Sequence, residues 1–136
     1  MSGIDDCLAQ AMAIHGAIGA SIIDHTTGFA VGAVGRAPTD DPDATWSGVA
    51  EIVNVAATGA PFASSRPGDR VEDVIITTIE GYHLIQQVHT VFDSRLVLYL
   101  WLHRAEGNLA MARRQLRLLA DGLTGGTPAP VTTAGR

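Results

Sequence analysis

Apolar residues are densest in the run Leu96–His103, whose sequence is Leu-Val-Leu-Tyr-Leu-Trp-Leu-His. A run of this length is typical of a strand and is short for an independent helix. Alternate side chains on a strand point to opposite faces, and here both faces are apolar. A strand of this kind needs cover on both sides. The pattern therefore predicts a central strand in a sheet that lies between helices.

Three other segments carry apolar residues at three- and four-residue steps, which is the spacing of an amphipathic helix. The side chains of Asp41 and Asn108 are suited to cap the second and the third of these helices. The predicted helices are Ile4–His15, Pro42–Ala57 and Leu109–Leu123.

Four further segments alternate as strands do, and glycine-containing turns join them in two pairs. They are Ala17–Asp24, Phe29–Val34, Val71–Ile79 and Tyr82–His89. The predicted order is α-β-β-α-β-β-β-α, an α+β class in which helices cover both faces of a five-stranded antiparallel sheet. We expect residues 1–123 to form one domain and the Gly/Pro/Thr-rich residues 124–136 to be a disordered tail.

The predicted middle helix carries little charge on its outer side. Its apolar stripe includes Trp46, Val49 and Val53, and Ile52 extends the stripe sideways, whereas Glu51 is the only charge after the first turn. A helix that covers one face of a sheet is expected to keep a charged outer surface. We therefore expect a second apolar contact, with another subunit or a partner protein. Deep burial within the monomer is the alternative.

Composition narrows the class of protein. The 136 residues have a formal net charge of −5, which argues against nucleic acid as a partner. The basic residues are nine Arg and no Lys, which excludes a P-loop lysine and a Schiff base. The single cysteine, Cys7, forms no internal disulfide and fits a reducing cytosol. With no signal-peptide pattern and no long apolar run, we expect a cytoplasmic protein that reaches a membrane only through partners.

No residue pattern points to catalysis or to a cofactor. The five histidines form no HxxxH pair or Cys/His cluster, and no serine lies in a G-x-S-x-G elbow. Glu72 and Asp73 are adjacent on a predicted strand, so their side chains are expected on opposite faces. We expect no enzyme activity, no cofactor and no metal. Arginines on the last predicted helix form either a solvated face or a docking site for an acidic partner. They are Arg113, Arg114 and Arg117.

Several segments together resemble the roadblock/LC7 family over Ile4–Leu123. They are Gly16–Asp24 before a Thr-Gly turn, Val71–Ile79, Tyr82–Ile85, Leu96–Arg104 and Asn108–Arg113. The short, Lys-free chain is similar to the roadblock proteins of actinobacterial conservon operons. Those operons also encode a sensor-kinase-like protein and a small Ras-like GTPase.

The resemblance implies a profilin-like three-layer α/β/α sandwich with strand order 2-1-5-4-3. It also implies a homodimer in which the edge strands Val71–Ile79 of two copies pair beside their middle helices. Such a dimer is expected to serve as a regulatory platform for a small Ras-like GTPase, with modulation of GTP hydrolysis among its roles. The residues expected at the dimer interface are Trp46, Val49, Ile52, Val53, Val71, Val74, Ile76 and Thr78.

A different class of function stays open from the sequence. Related α/β sandwiches bind small molecules between the sheet and a helix, so the alternative is a small-ligand sensor. Tyr82 and His83 are the residues expected to line its pocket. A pocket that holds polar groups favours this alternative, and a tightly packed core argues against it.

Overall fold

A computed structural model describes residues 2–58, 61–89 and 95–125. It confirms the predicted order of helices and strands. The helices are α1 (Ser2–Met12), α2 (Pro42–Val53) and α3 (Leu109–Gly125), and a π-helical turn (Asn54–Thr58) continues α2. The strands are β1 (Ala17–Asp24), β2 (Phe29–Gly35), β3 (Asp73–Thr77), β4 (Gly81–Gln87) and β5 (Leu96–His103). Among these residues, no helix is long and apolar enough to cross a membrane.

The strands form one five-stranded antiparallel sheet in the order β2-β1-β5-β4-β3. This order confirms the prediction, and it places β5 in the centre. On one side β5 pairs with β1, where Leu98 lies opposite Ile22, and on the other with β4, where Leu100 lies opposite Leu84. The sheet therefore ends at β2 on one edge and at β3 on the other.

The two faces of β5 belong to two separate hydrophobic cores. Leu98, Leu100 and Leu102 pack with α1 and α3 on one face. Val97 and Tyr99 pack with α2 on the opposite face. The doubly apolar pattern of this strand thus has the cause that the sequence predicted, namely helices on both sides of the sheet.

Several helix ends depart from the prediction, and the ends of α1 and α2 have a visible cause. α1 is regular only to Met12, because Ala13 and Ile14 donate to carbonyls three residues back and tighten the chain before Gly16. α2 begins as expected, since the Asp41 side chain accepts a hydrogen bond from the Ala44 amide at 3.3 Å. Its last turn is π-helical instead of α-helical.

A side-chain clasp accompanies this π-helical turn. The Asn54 Oδ1 lies 3.0 Å from His25 Nδ1, and Asn54 Nδ2 donates to the His25 carbonyl at 3.1 Å. His25 is in the β1–β2 turn, so these contacts tie the end of α2 to the hairpin. They give a physical reason for the local widening of the helix at Asn54.

β3 is shorter than the predicted strand Val71–Ile79 because, at both of its ends, hydrogen bonds from side chains replace the backbone hydrogen bonds between strands. Before the strand, Gln86 Nε2 donates to the Glu72 carbonyl at 3.1 Å and Gln87 Nε2 to the Val71 carbonyl at 3.4 Å. After it, the Thr78 hydroxyl accepts from the Gly81 amide at 3.0 Å and closes the turn.

Two further predictions concern segments at or beyond the ends of the described ranges. Most of the predicted tail, residues 124–136, lies outside the described residues. The sequence predicts that the last helix ends at Leu123, whereas α3 extends to Gly125.

Candidate functional site

One part of the α2 face of the sheet has incomplete cover. α2 packs mainly on β1 and β2, at one side of the sheet. Toward β3, the side chains of Val74, Ile76, His83 and Trp101 remain partly exposed on the same face. We call these four residues the apolar strip. The strip lies where a single helix is too narrow to cover a five-stranded sheet.

The apolar strip continues to an open sheet edge. β3 pairs with β4, with Val74 opposite Ile85 and Ile76 opposite His83. Within the described part of the chain, no strand pairs with the other side of β3. An edge that combines free backbone groups with apolar side chains is suited to pair with a further strand. The surface therefore offers both hydrogen bonds and apolar area to a partner.

The residues predicted for a dimer interface differ in exposure: most are partly or fully exposed, and two are buried. Trp46, Ile52, Val74 and Ile76 are partly exposed around the α2 face. Val71 and Thr78 flank β3, and Thr78 is exposed.

The two valines of this predicted set that lie on α2 face inward. Val49 and Val53 are only 4% and 2% exposed, so their side chains pack in the core of this chain. They hold α2 in place. That the set as a whole contacts a second subunit stays a prediction.

Two of the three α3 arginines form ion pairs within the chain. Arg113 donates to both carboxylate oxygens of Asp73, through Nε at 2.6 Å and a terminal nitrogen at 3.1 Å. Arg117 donates to Glu72 at 2.8 Å. These bonds join α3 to β3, and the hydrogen bond to Asp73 raises the pKa of Arg113 above its ordinary value. Arg114, between them in sequence, is exposed.

The same contacts correct the expectation that Glu72 and Asp73 lie on opposite faces. Arg113 is 2.6 Å from Asp73 and also 3.7 Å from Glu72. Because β3 begins at Asp73, Glu72 precedes the regular strand and is free of its alternation. Both carboxylates reach the arginines of α3, where they serve as structural anchors.

An aromatic cluster lies along the apolar strip. His83 Nδ1 is hydrogen bonded to the Tyr99 hydroxyl at 2.7 Å, and its ring stacks on Trp101 with centroids 6.2 Å apart. Burial lowers the pKa of His83 and raises the pKa of Tyr99, so both groups are uncharged at neutral pH. On the far side, the Arg36 guanidinium lies 6.0 Å from the Trp101 ring. Such a cluster adds polarizable surface without adding buried charge.

A cavity of about 190 Å³ lies beside this cluster, between the N-terminal end of α2 and the sheet. Trp46 and Tyr99 form aromatic walls, and Arg36 contributes a charged group. Ser21 also lines the cavity, and its buried hydroxyl has no hydrogen-bond partner within the described residues. The other lining residues are Ala20, Ala33, Val34, Gly35, Ala37, Pro38 and Pro42.

The residues of this cavity differ from those that the sequence predicted for a ligand pocket. Tyr82 belongs to the core on the α1 and α3 side, so it is on the opposite face from His83 and the expectation for it was wrong. His83 reaches the cavity only through its bond to Tyr99. Ser21 could have been identified from the sequence, because it is a polar residue on the inward face of an otherwise apolar strand. For Arg36, no sequence pattern indicated a role.

Side chains that could bind a metal are scattered over the fold. The described residues contain no group of three or more His, Cys, Asp or Glu side chains placed to hold a metal ion. Asp24 accepts hydrogen bonds from Thr26 in the β1–β2 turn, which lower the pKa of its carboxyl. The features that combine into a candidate site are therefore the apolar strip, the β3 edge and the cavity.

The fold is similar to several solved structures. A roadblock/LC7 domain from Streptomyces avermitilis gives a TM-score of 0.69 at 15% identity, with 88% of this chain and 92% of that chain covered. MglB from Myxococcus xanthus gives 0.67 at 17% identity, covering 90% of this chain and 89% of that one. The gliding protein MglB from Thermus thermophilus gives 0.60 at 17% identity, with 88% and 90% covered.

Sequence comparison adds no further relative. No protein-family model matches the chain, and no curated protein matches it. Likeness at 15% to 17% identity rests on the arrangement of helices and strands, and it extends over about nine-tenths of the chain. The chain has the roadblock/LC7 fold.

Proposed function

We propose that this protein is a homodimeric regulator or scaffold for a small Ras-like GTPase in a bacterial signalling system. The observation that carries the proposal is the apolar strip beside the open β3 edge, on a roadblock/LC7 fold. That fold resemblance implies a dimeric GTPase platform. The partly exposed side chains beside β3 support the dimer part of this proposal.

The simplest partner for this surface is a second copy of the chain, with the two β3 strands paired across a two-fold axis. Each β3 supplies free backbone groups to the other, and the two five-stranded sheets become continuous. Val74, Ile76 and Ile52 then lose water from their exposed surface, which is favourable by roughly 25 cal/mol per Å² of apolar area. The interface is expected to bury about 1,200–2,000 Å² or more in total.

Self-association has support from a structural neighbour. An MglB structure described as having a tetrameric arrangement matches this chain with a TM-score of 0.62 at 16% identity, over 90% of this chain. For this chain we propose the dimer as the basic unit, because its apolar strip and open edge form one continuous surface.

The proposal extends to the cellular setting of the protein. We place the protein in the cytoplasm of an actinobacterium, encoded in a conservon operon with its GTPase and a sensor-kinase-like partner. It acts on GTP hydrolysis through the residues of the GTPase, without catalytic chemistry of its own. The net charge of −5 and the family resemblance support a protein partner in place of nucleic acid.

The dimer is tested by light scattering at micromolar concentration. The wild-type chain is expected at twice the chain mass of 14.2 kDa. Val74→Asp is expected to be monomeric, since it places an unpaired charge in the interface. Val31→Asp is the matched control, because Val31 is 49% exposed on the opposite edge strand, β2. This variant is expected to remain dimeric. A monomeric wild type, or a dimeric Val74→Asp, refutes β3 pairing.

The GTPase partner needs a separate test. Tagged protein is incubated with the Ras-like GTPase encoded beside it, loaded with GDP or with a non-hydrolysable GTP analogue. Capture in at least one nucleotide state is expected. Failure to capture the GTPase in both states rejects the partner while leaving the dimer result untouched.

A further inference from the structure

The cavity at the N-terminal end of α2 is lined by polar, charged and aromatic groups that close packing alone does not require. Its volume is about 190 Å³, and its walls combine aromatic rings, one hydroxyl and one cation. An engineered cavity of about 150 Å³ in another protein is large enough to bind benzene. The space beside Trp46 and Tyr99 therefore suits a ligand with a single ring.

The hydroxyl of Ser21 is the first indication of a ligand. Ser21 is 2% exposed and lies on β1 opposite Tyr99 of β5 and Ala33 of β2. Its Oγ has no hydrogen-bond partner within the described chain. A buried hydroxyl without a partner destabilises the fold relative to a satisfied one. Alanine or valine at this position avoids that cost, so the serine is better explained by a group that enters the cavity.

Arg36 is the second, independent indication. Its guanidinium lies over the Trp101 ring at 6.0 Å, and Arg36 is the one charged residue among those that line the cavity. Across residues 2–58, 61–89 and 95–125, no carboxylate is within ion-pair distance of it. The Asp41 carboxylate, next to Pro42 of the cavity wall, is engaged with the Ala44 amide as the helix cap. Arg36 thus has its five donors available for a planar carboxylate.

We propose that this cavity binds a small aromatic carboxylate whose ring carries a hydroxyl group. The carboxylate pairs with the guanidinium of Arg36, the ring packs between Trp46 and Tyr99, and the hydroxyl completes the hydrogen bonding of Ser21. The ligand matches each of the three features of the cavity with one chemical group. Its binding is non-covalent, and it requires no other cofactor.

Binding is read by NMR titration with 3- and 4-hydroxybenzoate up to 2 mM. The chain has two tryptophans, so the indole N–H signals of Trp46 and Trp101 give one reporter in the cavity wall and one beside it. We expect at least one isomer to give a saturable shift, larger at Trp46. Benzoate, without the hydroxyl, and hydroxybenzamide, without the charge, are each expected to bind about tenfold more weakly. Absence of saturation with both isomers overturns the proposal.

Two variants assign the binding to its residues. Arg36→Gln, at an exposed side chain, is expected to weaken binding about tenfold and to abolish the preference for the acid over the amide. Ser21→Ala is expected to abolish the preference for hydroxybenzoate over benzoate. Gly48→Ala on α2 is the control, because a methyl group there enters open space and affinity stays unchanged. Wild-type preferences in both site variants overturn the assignment.

The titration is also performed with Val74→Asp, which the proposed dimer interface does not tolerate. The cavity is formed by one chain, so this monomeric variant is expected to retain the affinity of the wild type. Loss of binding in folded Val74→Asp contradicts a site contained in one subunit. The ligand proposal and the dimer proposal therefore succeed or fail separately.

Discussion

Arg113 is expected to fix the edge strand β3 to α3, and its removal tests the account of that edge. Both carboxylate oxygens of Asp73 accept hydrogen bonds from Arg113, at 2.6 and 3.1 Å. The Asp73 side chain is 11% exposed and that of Arg113 is 41% exposed. Arg113→Gln leaves a mostly buried carboxylate without its two charged donors.

The magnitude lies between two known limits. An exposed ion pair contributes about 0–1 kcal/mol, because water screens it. Removal of one partner from a fully buried pair costs about 3–5 kcal/mol. With one partner buried and the other partly exposed, Arg113→Gln is expected to lower the free energy of unfolding by about 1.5 kcal/mol. For a domain of this size the midpoint of thermal unfolding falls by about 5 °C.

The assay is chemical and thermal denaturation of Arg113→Gln beside Arg114→Gln. Arg114 is the adjacent, exposed arginine, so its variant removes the same charge at a site without the Asp73 contact. All samples are compared at one protein concentration, because self-association makes the midpoint concentration-dependent. Equal stability of the two variants refutes the anchor. A double-mutant cycle with Asp73→Asn then isolates the pair, and a coupling energy near zero also contradicts an anchoring role.

The stability of the fold is also expected to respond at His83, Asn54 and Ser21. Burial lowers the pKa of His83, so the stability that its neutral form contributes is present above about pH 6.5 and is lost as the pH falls toward its folded pKa. Between pH 7.5 and 5, the midpoint of thermal unfolding is therefore expected to fall less steeply for His83→Gln than for the wild type. Parallel curves for the two proteins contradict this. Asn54→Ala removes the clasp to His25 and is expected to cost about 1 kcal/mol in urea unfolding, an unchanged midpoint being the contrary result. Ser21→Ala removes a buried hydroxyl that has no partner within the described residues and is expected to raise the free energy of unfolding by about 1 kcal/mol, whereas a loss above about 2 kcal/mol points to an internal partner for the hydroxyl.

The central part of the fold was predictable from sequence because burial imposes periodicity. β1 and β5 have the predicted bounds, since each strand is limited by turn residues and carries an uninterrupted inward pattern. The caps at Asp41 and Asn108 also form as predicted, with the Met111 amide 3.0 Å from Asn108 Oδ1. The order of the strands was predicted from the family resemblance. The periodicity of apolar residues does not show which distant strands pair with one another.

Two of the departures, at the start of β3 and at the end of α2, have the same physical cause, which is a side chain that bonds to a distant part of the chain. Gln86 and Gln87 take the carbonyls that a longer β3 would offer, and Asn54 bonds to the β1–β2 turn. The cavity also depends on contacts between distant parts of the chain. Ser21 and Arg36 are separated in sequence and are brought together only by the pairing of β1 with β2. Local patterns of apolar residues do not encode such contacts.

The most direct test of the central proposal is sedimentation velocity of this protein mixed with the Ras-like GTPase proposed as its partner, in the GDP form and bound to a non-hydrolysable GTP analogue. The account predicts a complex in at least one nucleotide state that contains two copies of this 14.2 kDa chain. It also predicts that Val74→Asp eliminates the two-copy species. Separate sedimentation of the GTPase and this chain in both nucleotide states contradicts the account.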